Sequence, residues 1–500
     1  MKLLPRLYRH SLALLTDLYQ LTMAYAYWKH GLAEREAVFH LTFRQNPFGG
    51  QYAVACGLGY AVDFLRQLRF TEDDLSFLAT LAGADGRPLF EAAFLSYLRD
   101  LEFGCDVDAV VEGSVVFAGE PLVRVRGPLL QSQIIETPLL AMINFPTLIA
   151  TKAARICRAA AGRPVLEFGL RRAQGIDGGL TASRAAYIGG CAATSNVLAS
   201  KLDGIPVKGT HAHSWVMAFD DEQQAFEAYA AALPGNCIFL VDTYDSLAGV
   251  RHAVAVARHL RRDGHQLLGI RLDSGDFVAL SRQSRQLLND AGFPAAAIVV
   301  SGDLDEDRID QLLRDGARAD VWGVGTRLVT GHDQPALGGV YKLAALRDAA
   351  GQWSYRLKLS EHGSKQSDPG ILQVRRLWTA DGRCVADVIY DELLGLPAPP
   401  ALVPFASRDA TPAPPHARQA DLLIPVFRGG RAVYEPPAAA VARDYAAAQL
   451  ASFAAAVLEN RGGTAYLVGW EPGLHKLKSD LAAAVRATER DEPLPTAADS

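Results

Sequence analysis

Two histidines, His211 and His213, are separated by one residue in the stretch KGTHAHSW, directly after a segment typical of a β-strand. Imidazole titrates near neutral pH, so such a pair could bind a metal, shuttle protons or act as a nucleophile. On an extended segment both side chains point to the same face, which makes a metal pair sterically reasonable. Both could instead be structural residues that cap the following turn. The pair alone leaves these alternatives open.

Further polar side chains follow short apolar runs between residues 160 and 345. In parallel α/β folds, ligands bind beyond the carboxyl ends of the strands, where such side chains would converge. A single polar strand end is as often a helix cap, but six in register indicate a shared site. The residues at these ends are Glu167 with Arg171 and Arg172, Thr210 with His213, Asp242, Arg271 with Asp273, Ser301 with Asp303, and Gly325 with Thr326.

The arginines and glycines in this set favour an anionic ligand. Arg171 and Arg271 can each hold a phosphate or carboxylate through two hydrogen bonds, whereas Arg172 is expected to pair with Glu167 or a nearby aspartate. In VWGVGTRL, Gly325 and Thr326 could present backbone N–H groups and a hydroxyl to a phosphate. A tight turn explains those glycines nearly as well.

The elements that position these residues are predicted to be βα units. Helical periodicity fits between the apolar runs and no hairpin signal separates them, which indicates a parallel sheet, open or closed into a barrel. The expected strands are PVLEFG, IPVKGT, CIFLVDT, LLGIRLD, AIVVSGD, DVWGVGT and GGVYKLA.

The flanks predict a second domain. Residues 1–150 combine a helix with alternating strands, and residues 346–395 contain further strands. We therefore expect an α/β fold, with a barrel over 151–345 and a β-containing domain built from both flanks. Residues 396–500 are expected to be a Pro-rich linker, a small helical region and a loose tail.

Composition excludes several classes of function. The chain has 500 residues, 49% of them hydrophobic and 21% charged, with a net charge of −5 and interleaved signs. These values are typical of a soluble globular protein and favour neither nucleic acid nor a membrane as partner. We expect no bilayer-spanning stretch and no signal peptide. The six scattered cysteines predict reduced thiols and a cytoplasmic location.

Taken together, these stretches resemble the nicotinate phosphoribosyltransferase family, a family of type II phosphoribosyltransferases. The resemblance implies an irregular α/β barrel plus an α/β sandwich, in a homodimer with shared active sites. It also implies a ligase of NAD salvage that joins nicotinate to phosphoribosyl pyrophosphate, coupled to ATP hydrolysis and using Mg²⁺. The matching segments include TDLYQLTMAYAYW, FRQNPFGGQYAVACGL, LEFGLRRAQGIDGGLTASRAAYIGG, GTHAHSW, LVDTYDS, GIRLDSGD and VWGVGTRLVT.

The resemblance also implies roles for individual residues. His213 matches the histidine that ATP phosphorylates, and Asp242 matches a position that orients His213 or magnesium. Asp273 matches the carboxylate that holds the ribose hydroxyls.

Substrate-binding positions follow from the same resemblance. Nicotinate would lie between Phe168 and Tyr19 of the partner subunit, with its carboxylate at Arg271 and Thr210. Arg171, Gly325 and Thr326 match positions that bind the phosphoribosyl donor. Lys358 and Lys365 are looser phosphate candidates.

Three alternatives remain. Nicotinamide-specific relatives carry Asp in place of His211, and a carboxylate there would repel nicotinate, whereas His211 is neutral or cationic. A metal-dependent barrel hydrolase would use His211 and His213 with an aspartate such as Asp303. A catalytically silent nucleotide sensor would need no phosphoryl acceptor, so the intact set that includes His213 and Asp242 argues against it.

Overall fold

The structure is a computed structural model that describes residues 11–359 and 366–491. The chain divides into two compact units. The barrel unit comprises Pro146–Pro335 and Ala438–Ala447. The flanking unit comprises the residues up to Phe145, Ala336–Pro437 and the residues from Ala448 onward.

The barrel unit is built on six parallel strands with helices between them. In spatial order the strands are Ala193–Thr194, Val165–Glu167, Val321–Val324, Ala297–Ser301, Gly269–Leu272 and Ile238–Leu240. The helices are Gly175–Ile188, Val197–Asp203, His213–Val216, Glu222–Ala232, Ser246–Arg262, Phe277–Asp290, Glu306–Arg314 and Thr326–Val329, with 3₁₀ turns at Leu170–Arg172 and Pro234–Asn236.

Several of these helices begin at an aspartate that follows a strand. The side chain of Asp245 accepts a hydrogen bond from the backbone of Ala248 at 2.7 Å, and Asp276 and Asp305 cap their helices in the same way. An N-cap side chain satisfies backbone N–H groups that have no partner in the helix. The strand-to-helix turns are thereby fixed by local sequence, at the end of the sheet where polar residues were expected.

Residues between Ile205 and His211 join the two edges of this sheet. At one edge, the backbone of Lys208 donates to the carbonyl of Thr194 at 3.0 Å, and Val207 forms a single parallel bridge with Thr194. At the other edge, the backbone N–H of Leu240 donates to Nε2 of His211 at 3.2 Å. The predicted strand IPVKGT is therefore only a bridge, and a histidine side chain completes the barrel.

The flanking unit contains two larger sheets. The antiparallel seven-stranded sheet has the order Trp353–Tyr355, Gly339–Arg347, Glu36–Phe43, Val123–Pro128, Asp106–Ala109, Ile424–Arg428, Arg431–Ala432. The six-stranded sheet has the order Thr411–Pro412, Ala401–Pro404, Val468–Trp470, Cys384–Asp391, Leu372–Trp378, Arg418–Asp421, and Ala53–Val54 pairs separately with Val115–Val116.

Helices and a buried apolar cluster support the first of these sheets. Phe39, Leu41 and Val125 are almost fully buried and belong to one hydrophobic core. The helices of this unit are Leu18–Lys29, Leu58–Gln67, Glu72–Leu78, Ala92–Arg99, Leu129–Ile134 and Pro472–Asp491, with a 3₁₀ turn at Pro47–Gly49. Two further helices, Glu136–Ala159 and Ala439–Ala451, cross the division between the units.

Two predictions about the flanks are wrong. GGVYKLA is not a barrel strand, because Gly339–Arg347 pairs antiparallel with Glu36–Phe43. The Pro-rich stretch 396–417 is not a linker, because its strands Ala401–Pro404 and Thr411–Pro412 belong to the six-stranded sheet, and three more strands follow up to Ala432. Strands that find their partners far away in sequence carry no local signal that separates them from a barrel strand or an extended linker.

One segment also differs from the expectation of no bilayer-length stretch. Leu129–Ala159 is long and apolar enough to cross a membrane by length and composition, and 61% of its most apolar window is buried inside the protein. Lys152 and Arg155 in this segment form buried ion pairs with Glu306 at 2.8 and 2.9 Å. These features are typical of a core helix.

Candidate active site

Arg271 is the centre of a polar cluster at the carboxyl ends of the barrel strands. Its Nε donates to Ser301 Oγ at 2.7 Å, its Nη1 to Thr210 Oγ1 at 3.2 Å and its Nη2 to Asp273 Oδ1 at 2.7 Å. The side chain of Arg271 is 16% exposed. The structure thus brings together Thr210, Arg271 and Asp273, as the positions of the strand ends predict.

Asp273 is held in its ionised form by this cluster. Burial alone would raise the pKa of its carboxyl group, but the hydrogen bond from Ser301 and the positive charge of Arg271 outweigh burial and lower the pKa below its ordinary value. An ionised carboxylate accepts hydrogen bonds and donates none. Asp273 is therefore suited to bind hydroxyl groups.

Phe168 provides an apolar face beside Arg271. The guanidinium carbon of Arg271 lies 5.3 Å from the centroid of the Phe168 ring. A Cβ at Gly323 would lie 2.8 Å from two carbons of that ring. Gly323 therefore supplies the space in which the ring lies, a packing role that differs from the backbone contact with an anion expected for this glycine-rich turn.

Asp242 fixes the turn that carries Asp273. Its Oδ2 accepts hydrogen bonds from the backbone of Asp273 at 2.9 Å and from Ser274 Oγ at 2.8 Å. Its Oδ1 is buried, and no donor among the described residues reaches that oxygen. One buried carboxylate oxygen thus has no hydrogen-bond partner among the described residues.

His213 is positioned by a neighbour of Asp242. The Nδ1 atom of His213 lies 3.2 Å from Thr243 Oγ1, and His213 is the first residue of the short helix His213–Val216. Its side chain is half-buried. Because Thr243 holds Nδ1, the imidazole ring has a fixed orientation, and its other nitrogen, Nε2, points away from Thr243. Thr243 did not stand out in the sequence, although it directly follows Asp242.

His211 does not form a metal pair with His213. It is 8% exposed and packs against Phe226, Tyr229 and Phe239, with ring centroids 5.2 to 6.3 Å apart. Burial lowers the pKa of His211 to about 4, so its ring is neutral and its Nε2 accepts the hydrogen bond from Leu240. Among the described residues, no group of three or more histidine, cysteine or acidic side chains could hold a metal ion.

Glu167 has a structural role. Its carboxylate is fully buried and accepts hydrogen bonds from Ser183 Oγ at 2.8 Å, Thr194 Oγ1 at 2.6 Å and the backbone N–H of Gly169. Of the two kinds of partner expected for Arg172, Glu167 is therefore wrong, because short-range hydroxyl and backbone donors satisfy this carboxylate.

The remaining predicted residues have diverse positions. Arg171 is exposed on the 3₁₀ turn Leu170–Arg172. Gly325 precedes the short helix Thr326–Val329, whose first residue, Thr326, is half-buried. In the flanking unit, Tyr19 is 49% exposed on the helix Leu18–Lys29 and Lys358 is exposed. Lys365 lies outside the described residues.

Comparisons with known proteins identify similar sequences over most of the chain. Residues 14–144 match the model of the nicotinate phosphoribosyltransferase N-terminal domain, and residues 165–350 match that of the nicotinate phosphoribosyltransferase family. A curated nicotinate phosphoribosyltransferase of Bacillus subtilis is 47% identical over 388 residues, which cover 76% of this chain and 77% of that protein. A Dictyostelium discoideum protein of the same name is 37% identical over 514 residues, covering 91% and 85%.

Solved structures show the same fold. The crystal structure of human nicotinic acid phosphoribosyltransferase superimposes with a TM-score of 0.80 at 34% identity, covering 94% of this chain and all of that chain. A nicotinate-nucleotide pyrophosphorylase from Pyrococcus furiosus superimposes with a TM-score of 0.66 at 23% identity and covers 88% of this chain and 96% of that chain. The second likeness concerns the fold alone.

Proposed function

The chain belongs to the nicotinate phosphoribosyltransferase family, and on that premise we propose that the Arg271 cluster binds nicotinate while His213 accepts a phosphoryl group from ATP. Nicotinate phosphoribosyltransfer in NAD salvage is the function of the family members to which the chain is similar. The donor, the coupling to ATP and the contributions of single residues are our proposals.

The observation that carries the proposal is the fixed orientation of Arg271. A guanidinium has five N–H groups, and acceptors among the described residues receive one from Nε, one from Nη1 and one from Nη2. One N–H on each terminal nitrogen remains for a ligand. N–H groups on two neighbouring nitrogens can hold the two oxygens of a carboxylate, which is the group that distinguishes nicotinate from nicotinamide.

The pyridine ring is placed on the face of Phe168. Aromatic rings stack favourably in offset or edge-on arrangements, and Phe168 lies beside the same guanidinium that would hold the carboxylate. The half-exposed Tyr19 would cover the other face of the pyridine from the partner subunit of a homodimer. Shared sites of this kind make each active site depend on both copies.

The phosphoryl transfer uses the outer nitrogen of His213. Nε2 attacks the γ-phosphorus of ATP, the bond from that phosphorus to the β,γ-bridging oxygen breaks, and ADP leaves. Thr243 holds Nδ1 and so orients Nε2 towards the nucleotide. Water later cleaves the N–P bond and releases phosphate, which returns His213 to its starting form. This cycle makes the protein an ATP-coupled ligase.

The ribosyl transfer takes place beside Asp273. The pyridine nitrogen bonds to C1 of the ribose of phosphoribosyl pyrophosphate, and the bond from C1 to the pyrophosphate oxygen breaks. The ionised Asp273 would hold the ribose hydroxyls while positive charge develops on the sugar. Arg171, Gly325, Thr326, Lys358 and Lys365 are proposed to contact the phosphates of the donor.

The donor set also fits Mg²⁺. The buried Oδ1 of Asp242, which no donor among the described residues reaches, and the carboxylate of Asp273 are hard oxygen ligands of the kind that Mg²⁺ prefers. Phosphates would complete its shell. Bound there, Mg²⁺ would neutralise the charge of the leaving pyrophosphate. We place the reaction in the cytoplasm, with no role for nucleic acid or membrane.

We infer that nicotinate is favoured over nicotinamide for a different reason than the sequence suggested. His211 is buried and neutral, so it neither attracts nor repels the carboxylate by charge. The preference therefore rests on Arg271. The metal-dependent hydrolase loses its basis, because Nε2 of His211 is bonded to the backbone of Leu240.

A product analysis tests the proposal. Purified protein is incubated with phosphoribosyl pyrophosphate, Mg²⁺ and either nicotinate or nicotinamide, with and without γ-labelled ATP. We expect nicotinate mononucleotide, and acid-labile label on the protein that His213→Gln abolishes. The matched control is His259→Gln, since His259 is exposed on the helix Ser246–Arg262. Label that persists in His213→Gln would refute the phosphohistidine, and nicotinamide mononucleotide as main product would refute the carboxylate pocket.

A further inference from the structure

A polar cavity lies at the ends of the barrel strands opposite to the Arg271 cluster. It has a volume of about 570 Å³ and is lined almost entirely by polar side chains and short alanines. It is bordered by residues directly before the strands Val165–Glu167 and Val321–Val324, whereas the Arg271 cluster follows the strands. The lining residues used below are Arg163, Arg282, Arg285, Arg318, Gln286 and Asp320.

Three of the arginines are anchored by backbone carbonyls. Arg163 Nε donates to Ala319 O at 3.0 Å, and Arg282 Nε donates to Gly316 O at 3.0 Å. Arg285 donates to Pro294 O at 3.0 Å and to Ala296 O at 2.8 Å. These bonds fix the guanidinium groups without neutralising them, because a carbonyl carries no net charge.

The backbone is shaped around one of these groups. Gly316 has a φ of +83°, and a Cβ there would lie 2.2 Å from a terminal nitrogen of Arg282. Any larger residue would therefore displace the guanidinium. The position of Arg282 is built into the turn after the helix Glu306–Arg314.

The cavity carries excess positive charge. Four arginines line it, and the acidic side chain in the lining is Asp320, which accepts from Arg285 at 2.7 Å and from the backbone of Ile298 at 2.8 Å. The nearby Asp315 and Asp290 carboxylates accept hydrogen bonds from Gln311 and Gln286. Four positive charges and one negative charge give the lining a formal charge of about three positive, and Asp315 and Asp290 outside the lining keep their negative charges because glutamine is neutral.

We propose that this cavity binds the oligophosphate group of a nucleoside polyphosphate or of inorganic polyphosphate, at a site separate from the Arg271 cluster. Guanidinium forks hold phosphate oxygens through paired hydrogen bonds. Within the described chain, Arg163 and Arg282 retain terminal N–H groups that no acceptor receives, and Arg318 is exposed at the rim. The described lining residues include no aromatic side chain to stack on a base, so the phosphates carry the recognition.

The test is a calorimetric titration with inorganic tripolyphosphate at physiological salt. The parent protein should bind one more tripolyphosphate per chain than Arg318→Ala or Arg282→Ala, or bind that one at least about tenfold more tightly. Arg258→Ala and Arg262→Ala are the matched controls. Both arginines are exposed on the helix Ser246–Arg262, and each substitution removes one positive charge, as the pocket substitutions do. Thermal unfolding of Arg282→Ala checks that its turn still folds, and the exposed Arg318 provides a variant free of that concern.

Parallel titrations separate the two sources of the phosphate chain. If ATP competes with tripolyphosphate for this extra site, a nucleoside polyphosphate is an acceptable ligand. If only tripolyphosphate binds there, the ligand is the inorganic chain. Either result supports the proposal. Pocket variants that bind tripolyphosphate like the parent would overturn it. AMP that binds the extra site as tightly as tripolyphosphate would also overturn it, since a single phosphate would then suffice.

Discussion

Replacing Arg271 with lysine separates the charge of this residue from its geometry. The ammonium group of the introduced lysine would keep one positive charge near Asp273, but all its N–H groups would lie on a single atom. The parent guanidinium contacts Ser301, Thr210 and Asp273 from three nitrogens and leaves one N–H group on each terminal nitrogen without an acceptor among the described residues. Arg271→Lys therefore loses the paired contact with a carboxylate.

The expected loss can be estimated from this contact. A hydrogen bond to a charged group contributes about 1.5–3 kcal/mol, which corresponds to roughly 10- to 150-fold in binding. We expect kcat/KM for nicotinate to fall by that factor, measured from initial rates at varied nicotinate and saturating co-substrates. ATP-dependent labelling of His213 should remain, because its contact with Thr243 does not involve Arg271.

A matched variant controls for the change of residue type. Arg262→Lys makes the same substitution on an exposed helix position and should leave the kinetics unchanged. If Arg271→Lys used nicotinate as efficiently as Arg262→Lys, Arg271 would not bind the carboxylate. Loss of labelling together with loss of turnover would instead show that Arg271 supports the whole site.

Three further predictions concern packing and charge. Gly323→Ala should displace the Phe168 ring, destabilise the barrel by about 1–3 kcal/mol and raise KM for nicotinate, whereas Gly235→Ala, with open space around its Cβ, should do neither in the same unfolding and kinetic assays. Because burial keeps the pKa of His211 at about 4 against an ordinary 6.5, its contribution to stability is complete above pH 6.5 and is lost as the pH falls towards 4. Urea unfolding should show that the unfolding free energy falls by about 2 kcal/mol between pH 7 and pH 5 because of this group, and that His211→Gln abolishes this part of the pH dependence. If the pH dependence of the unfolding free energy were the same in His211→Gln as in the parent, the buried neutral ring would be contradicted. Arg376→Met should cost about 3–5 kcal/mol of unfolding free energy, because it leaves the fully buried Asp387 unpaired, while Arg375→Met at a half-exposed pair should cost about 1 kcal/mol or less; equal losses would contradict this reasoning.

The site was predictable where it depends on strand ends. A short apolar run followed by a polar residue locates Thr210, Asp242, Arg271 and Asp273, because parallel strands bring their carboxyl ends together. Thr243 was not predictable, because a single hydroxyl residue forms no recognisable sequence pattern. Only the fold shows that its hydroxyl contacts His213.

The remaining errors arise from contacts between distant parts of the chain. His211 looked like a partner of His213 in sequence, yet the start of the helix at His213 turns the two side chains into different surroundings. Gly339–Arg347 and the strands beyond Ala401 are paired with segments far away, which no local spacing reveals.

Because His211 closes the barrel, its position must meet two structural requirements at once. Position 211 must offer an acceptor to the N–H of Leu240 and must fit among three aromatic rings. An apolar replacement would leave the backbone N–H of Leu240 unpaired, so few side chains can replace histidine at this position.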